Sequence, residues 1–159
     1  MKFARSIFAG LLLACGAVTF TGCQTWSEDN AQREAMNQAI LQEQPGNYFI
    51  ARRFYKQDYK IWGWVRSPGQ PWSTAQLVML NEQKMLAPDR ARNDIGFDNN
   101  YEYRLSGYFS GDKIYEPASD TVYPEFVLTG AEVRSIDPPL IFKDRRSIDP
   151  KVRLLVPPI

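Results

Sequence analysis

The chain has 159 residues, with 19 Lys and Arg against 18 Asp and Glu, two cysteines and no histidine. The lack of histidine excludes a Ser-His-Asp triad, a Cys-His pair and every His-ligated metal site. Near-neutral charge gives no electrostatic case for nucleic acid, whose binders carry a basic excess, and the length fits one domain rather than two.

The N-terminus, Met1-Lys2-Phe3-Ala4-Arg5, sets two positive charges ahead of an uncharged run over residues 6–22. A charged start, an apolar stretch and small residues before a cut mark a secretory signal. Retention as a membrane span is the competing expectation. The run sits at the short limit of the roughly 17 to 25 residues a span needs, and Gly10, Gly16, Thr19, Thr21 and Gly22 weaken it. In either case Lys2 and Arg5 stay in the cytoplasm and the remainder is exported.

Phe20-Thr21-Gly22-Cys23 resembles the lipobox of bacterial lipoproteins, with Phe20 where that family usually has Leu. The resemblance covers about the first 24 residues. It implies cleavage before Cys23, a diacylglycerol on its sulfur and acylation of the new amino group. Membrane lipid is then the partner. Gln24 rather than Asp follows the cysteine, which in that family implies the outer membrane where the host has two. Leu12-Leu13-Ala14-Cys15 matches the pattern better by letter and worse by position. A cut there leaves a signal shorter than the usual length of roughly 15 to 30 residues. Cys15 therefore reads as a small apolar residue of a discarded segment. Acylated Cys23 leaves no thiol for a disulfide or a nucleophile. Loss of residues 1–22 leaves 17 Lys and Arg against 18 Asp and Glu, a net charge of about −1.

Residues 23–46 are expected to form a lipid-anchored polar lead with one helix. Ser27 suits a cap, Glu28 and Asp29 suit a first turn, and Ala31, Ala35, Met36, Ala39 and Ile40 recur at helical steps. Pro45-Gly46 stops the pattern. The apolar face is thin, so the helix docks weakly or acts as a spacer.

Residues 47–137 read as a β-rich domain. "NYFIARRFY" is strand-like. "YKIWGWVR" alternates, with Ile61, Gly63 and Val65 on one side and Trp62 and Trp64 on the other; Gly63 signals a bend or close backbone approach. Pro68-Gly69 makes a turn, and "TAQLVMLN" is the next strand. Residues 88–100 are expected to be a polar loop. "YEYRLSGYF" alternates until Gly111-Asp112, "KIYEPASDTVYP" is a loop or excursion, and "EFVLTGAEVRSI" is the last strand, bent or bulged at Gly130.

Residues 138–159 form a Pro-rich C-terminal tail. "RSIDP" occurs twice, at 134–138 and 146–150, which is too few copies for a solenoid and reads as repeated turn chemistry. The closing "VRLLVPPI" either pairs as an edge strand or packs loosely. The fold class is mainly β: a small curled barrel or sandwich of about five strands with one N-terminal helix. The cadence "IWGWV", "YRLSGYF" and "FVLTGAEV" resembles the sheet of OB-fold domains of envelope lipoproteins.

The candidate ligand-binding residues are Tyr59, Trp62, Trp64 and Trp72, with Tyr55 and the cations Arg52, Arg53 and Arg66 nearby in sequence. Flat aromatic faces stack on sugar rings; they also fill β cores without any ligand. Glu116, Asp120 and Glu125 are weighed as a paired-carboxylate site and set aside as surface charge. Asp94, Asp98 and Asn100 lack EF-hand spacing and read as loop solvation. No G-x-G-x-x-G, Walker or G-x-S-x-G motif is present. The expectation is a non-enzymatic envelope lipoprotein with no cofactor, working through structure or protein contact. A glycan- or peptidoglycan-binding module is the alternative.

Overall fold

The computed structural model describes residues 24–153, with side chains from residue 30 onward. The expected signal at 1–22, Cys15, Cys23 and the closing residues 154–159 lie outside the described residues.

Helix α1 (Gln24–Leu41) precedes five strands, β1 (Phe49–Arg53), β2 (Gly63–Arg66), β3 (Gln76–Asn81), β4 (Glu102–Glu116) and β5 (Thr121–Ser135). A one-turn helix α2 (Pro88–Ala91) lies between β3 and β4. The strands close into a barrel in the order β1-β2-β3-β5-β4, with β4 returning to β1. Among the described strands only the β3–β5 pairing is parallel. The architecture is that of a small OB-like barrel with a helix on its N-terminal side.

Period-2 alternation in β1 builds two cores at once. Ala51 faces the barrel interior with Val65, Val78, Tyr103, Leu105, Phe126 and Leu128. Ile50 and the adjoining Phe54 face outward into a second cluster with Trp64, Leu77, Met79, Ile141 and Phe142, over which Ile40 of α1 closes. Burying a side chain of the size of Ile40 contributes about 1.5–3 kcal/mol, so even a thin helical face docks. α1 starts at Gln24, which places Ser27 within it rather than at its cap.

The expected face-sharing of Trp62 and Trp64 does not hold. Trp62 joins Val65 in the barrel core, whereas Ile61 and Trp64 join the outer cluster. The alternation breaks at Gly63, whose Cα lies against the Arg52 carbonyl so closely that a Cβ there would collide with it. That is the close backbone approach the glycine signals.

Residues 113–124 are a hairpin, not a loop. Lys113 pairs with Pro124, Ile114 with Tyr123, Tyr115 with Val122 and Glu116 with Thr121. Gly111 (φ 92°) sits in a register shift between Phe109 and Lys113, so the chain bulges and continues. A further shift between Ser106 and Gly107 lies opposite Gly130. Residues 88–100 form α2 and successive turns, with left-handed Asn93, Gly96 and Asn100. The two "RSIDP" copies adopt different structures: the first ends β5 at Ser135, and the second lies in a 3-10 turn, Arg145–Ile148. The segment before that turn is packed, with Ile141 and Phe142 buried. The backbone carbonyls of Asp149 and Pro150 accept from Lys56 Nζ (2.7 Å) and the Gln57 N–H (3.1 Å).

Candidate functional site

Five charged side chains are strung along the seam where the end of α1 meets the barrel. Arg66 of β2 donates both terminal nitrogens to Glu43 at 2.6 and 2.9 Å. Glu43, two residues past α1, also accepts the Gly69 N–H at 2.9 Å. Arg134 from the end of β5 bridges Glu43 (3.0 Å) to Glu102 (3.1 Å). Glu102 in turn takes Arg52 of β1 at 2.9 Å, and Arg52 donates a further bond to the Pro139 carbonyl at 2.8 Å. Trp72 fills the gap between the two buried guanidiniums, with Arg66 4.6 Å and Arg52 5.2 Å from its ring centre. Three cations meet two anions, so the string carries one excess positive charge.

Burial opposes ionisation of Glu43, but the bonds from Arg66, Gly69 and Arg134 outweigh it and hold its carboxyl below the usual range. Burial likewise lowers the Arg52 guanidinium, with Glu102 opposing; an arginine stays charged at any physiological pH. A cavity of about 340 Å³ lies over this string, between Met36, Ala39 and Ile40 of α1 and the Pro138-Pro139 turn. Among the described residues, the buried Nε atoms of Arg52 and Arg66 and the Trp72 indole N–H have no hydrogen-bond partner. The geometry is that of a clasp. Glu43 and Glu102 each accept from two arginines.

A second buried group plugs one end of the barrel. Arg53 of β1 donates to Asp89 at 2.8 Å and lies 3.4 Å from Asp98, while the Tyr103 hydroxyl donates to Asp98 at 2.7 Å. Arg53 also binds the Trp62 carbonyl. Burial raises Asp98 above the usual carboxylate range, and the Tyr103 bond and Arg53 offset this only in part. Burial and the same bond push the Tyr103 hydroxyl up. The reading of Asp98 as loop solvation is thereby corrected: it is fully buried and anchors the 88–100 segment to the barrel.

The expected aromatic face is not on the surface. Tyr59 (7% exposed), Trp62 (4%), Trp64 (7%) and Trp72 (4%) are all interior. Trp62 fills the barrel; Tyr59, Trp64 and Trp72 lie in the outer cluster, beneath α1 and the 139–142 segment. The cations near them in sequence are near them in space: Arg52 and Arg66 flank Trp72, and Arg53 lies over Tyr55 and Trp62. Of these residues, Arg52, Arg66 and Trp72 line the cavity over the clasp, whereas Tyr59, Trp62 and Trp64 are not part of its lining.

The three weighed carboxylates have separate duties. Glu116 is buried, not surface charge, and accepts the Ala118 and Ser119 N–H groups of its own turn at 3.3 and 2.7 Å. Burial opposes its ionisation, but the Ser119 and Ala118 bonds outweigh it and hold its carboxyl low. Asp120 is exposed and accepts the Tyr115 hydroxyl (2.9 Å), and Glu125 accepts from Asn81 (3.0 Å). Asp94 and Asn100 lie in the turns after α2. Among the described residues no three acids or cysteines gather as a metal site, and no helix is long and apolar enough to cross a membrane.

Glu43, Glu102, Arg134 and Asp89 were not marked by the sequence reasoning. The signal for them was the tandem Arg52-Arg53 inside an apolar strand: alternating side chains put one guanidinium into each core, and each then needs an acid. Compared with known protein families, with curated proteins and with solved structures, the chain matches none.

Proposed function

We propose that this chain is an envelope lipoprotein: exported, acylated at Cys23, and holding an OB-like barrel beside the membrane, where it acts by contact rather than by catalysis. The observation that carries the reading is the continuity from lipobox to clasp. The Phe20-Thr21-Gly22-Cys23 pattern lies directly before Gln24, the first described residue of α1. That helix runs about 27 Å at 1.5 Å per residue and is fastened to the barrel through Ile40 and Glu43. An anchor at Cys23 would therefore act on the barrel through this helix and the Glu43 ion pair that follows it. The pairing of Glu43 and Glu102 with arginines, and the dispersal of Glu116, Asp120 and Glu125 among separate partners, support contact over acid–base work. The alternative, glycan stacking on Tyr59, Trp62, Trp64 and Trp72, loses its support from their interior positions.

The test is fractionation of cells expressing the natural chain and Cys23→Ser. The natural chain is expected in the detergent-soluble membrane fraction with an acylated N-terminus, and the variant without acyl groups. Incorporation of labelled fatty acid that is equal in the two would refute the assignment.

A further inference from the structure

We infer that the barrel lies against the bilayer with one basic face down, bound to the phosphates of anionic phospholipid headgroups. The inference rests on the lipid anchor proposed above and adds the orientation it produces. A hollow of about 500 Å³ opens beside the first half of α1, between Arg33 of the helix and the segment carrying Lys143 and Arg145. Among the described residues its lining holds those three cations and no carboxylate. Arg33 is half-buried, Lys143 and Arg145 are exposed, and Arg146, also exposed, adds a fourth positive charge beside them.

The face is held in shape rather than formed by chance contact of long side chains. Arg33 donates to the Phe142 carbonyl at 2.6 Å, which ties α1 to the segment at the point where Phe142 is buried. Asp144, the acid within the basic run, caps the following 3-10 turn by accepting the Arg146 N–H at 2.8 Å. Glu34 on α1 accepts from Gln38 along the helix. Among the described residues Lys143, Arg145 and Arg146 form no ion pair, unlike the three arginines of the clasp.

Position selects the partner. Arg33 is nine residues past Gln24, about 13 Å along the helix axis. Upright, α1 would hold the hollow above the headgroups by more than a Debye length, about 8 Å at physiological salt. Tilted, it sets Arg33, Lys143 and Arg145 onto the phosphates of the leaflet that holds the acyl chains. Each cation near an anionic surface contributes about a fivefold gain in partitioning, and the tilt gathers several together.

The test uses the chain from residue 23 with Cys23→Ser, which keeps every described residue and lacks acyl groups. It is floated with vesicles of phosphatidylcholine alone and with vesicles containing phosphatidylglycerol. Binding is expected to the anionic vesicles only, to fall steeply with salt, and to resist inorganic phosphate at matched ionic strength. Lys143→Glu with Arg145→Glu should lower it by at least tenfold. Lys60→Glu with Lys113→Glu, an equal charge change at exposed lysines elsewhere on the domain, should leave it within about twofold, and unchanged circular dichroism confirms that both pairs fold. Equal losses from the two pairs, equal binding to neutral vesicles, or displacement by phosphate would each overturn the headgroup contact. A bare thiol at Cys23 in protein isolated from cells would overturn the anchor instead, so the two failures are distinguishable.

Discussion

Replacing Glu43 with Gln isolates the charge of the clasp while keeping its shape. In the folded protein the Glu43 side chain is 7% exposed and that of Arg66 is 1% exposed, with oxygen and nitrogen 2.6 Å apart. The substitution leaves Arg66 a buried cation without its counter-ion and removes one of the two acids that hold Arg134. Removing one partner of a buried pair costs about 3–5 kcal/mol; Gln still accepts one hydrogen bond, which favours the lower end, about 3 kcal/mol. For a domain of this size that is a fall in Tm of roughly 10 °C. Differential scanning calorimetry at pH 7 reads it directly. The double variant Glu43→Gln with Arg66→Met removes the stranded charge and should be more stable than Glu43→Gln alone. The pH dependence has a fixed sign. Glu43 titrates below its ordinary value of 4.5 in the folded state, so its contribution is present above that value and is lost as pH falls through the depressed one. The acid limb of stability should therefore flatten in Glu43→Gln. A variant within about 1 kcal/mol of the natural chain, or one with an unchanged acid limb, would refute the clasp as a buried, energetically coupled element.

Gly63→Ala should cost at least about 2 kcal/mol, because the added Cβ meets the Arg52 backbone, which cannot swing away; urea denaturation showing a loss under about 0.5 kcal/mol would contradict the crossing. In a Trp26→Phe background, the remaining Trp62, Trp64 and Trp72 should resist quenching by iodide, since all are buried; strong quenching, or a fluorescence response to envelope glycans, would restore an open aromatic face. Glu116→Gln should destabilise the 116–119 turn, where Ala118 and Ser119 donate to the carboxylate, by about 1–2 kcal/mol, with faster amide exchange in the hairpin and none of that loss at the clasp; exchange rates unchanged in the hairpin would contradict its role.

How far the fold was legible depended on which residues carried it. The strands β2 and β4 announce themselves through the alternation of "YKIWGWVR" and "YEYRLSGYF", β1, β3 and β5 through short apolar runs, and Gly63 announces a backbone contact because an added Cβ would collide there. Two things were hidden. Gly111, Pro117 and Pro124 look like strand breakers, yet β4 absorbs Gly111 in a bulge, Pro117 lies in the hairpin turn, and the long β4–β5 pairing supplies the rest of the ladder. Charged residues read as solvated by default, so the burial of Arg52, Arg53, Arg66, Asp98 and Glu116 could not be seen without their distant partners. The partners are separated by 23 to 50 residues in the Arg66–Glu43 and Arg52–Glu102 pairs, beyond any local pattern. The aromatic residues failed as a site for the related reason that one strand's tryptophans were assigned a common face, and Gly63 splits them between two cores.

The most direct measurement is the intact mass of the protein isolated from its natural membrane. The account predicts a chain beginning at residue 23, heavier than its sequence by a diacylglycerol and one amide-linked fatty acid. A mass that includes Met1, or a chain starting at Cys23 with its sulfhydryl unmodified, would contradict it.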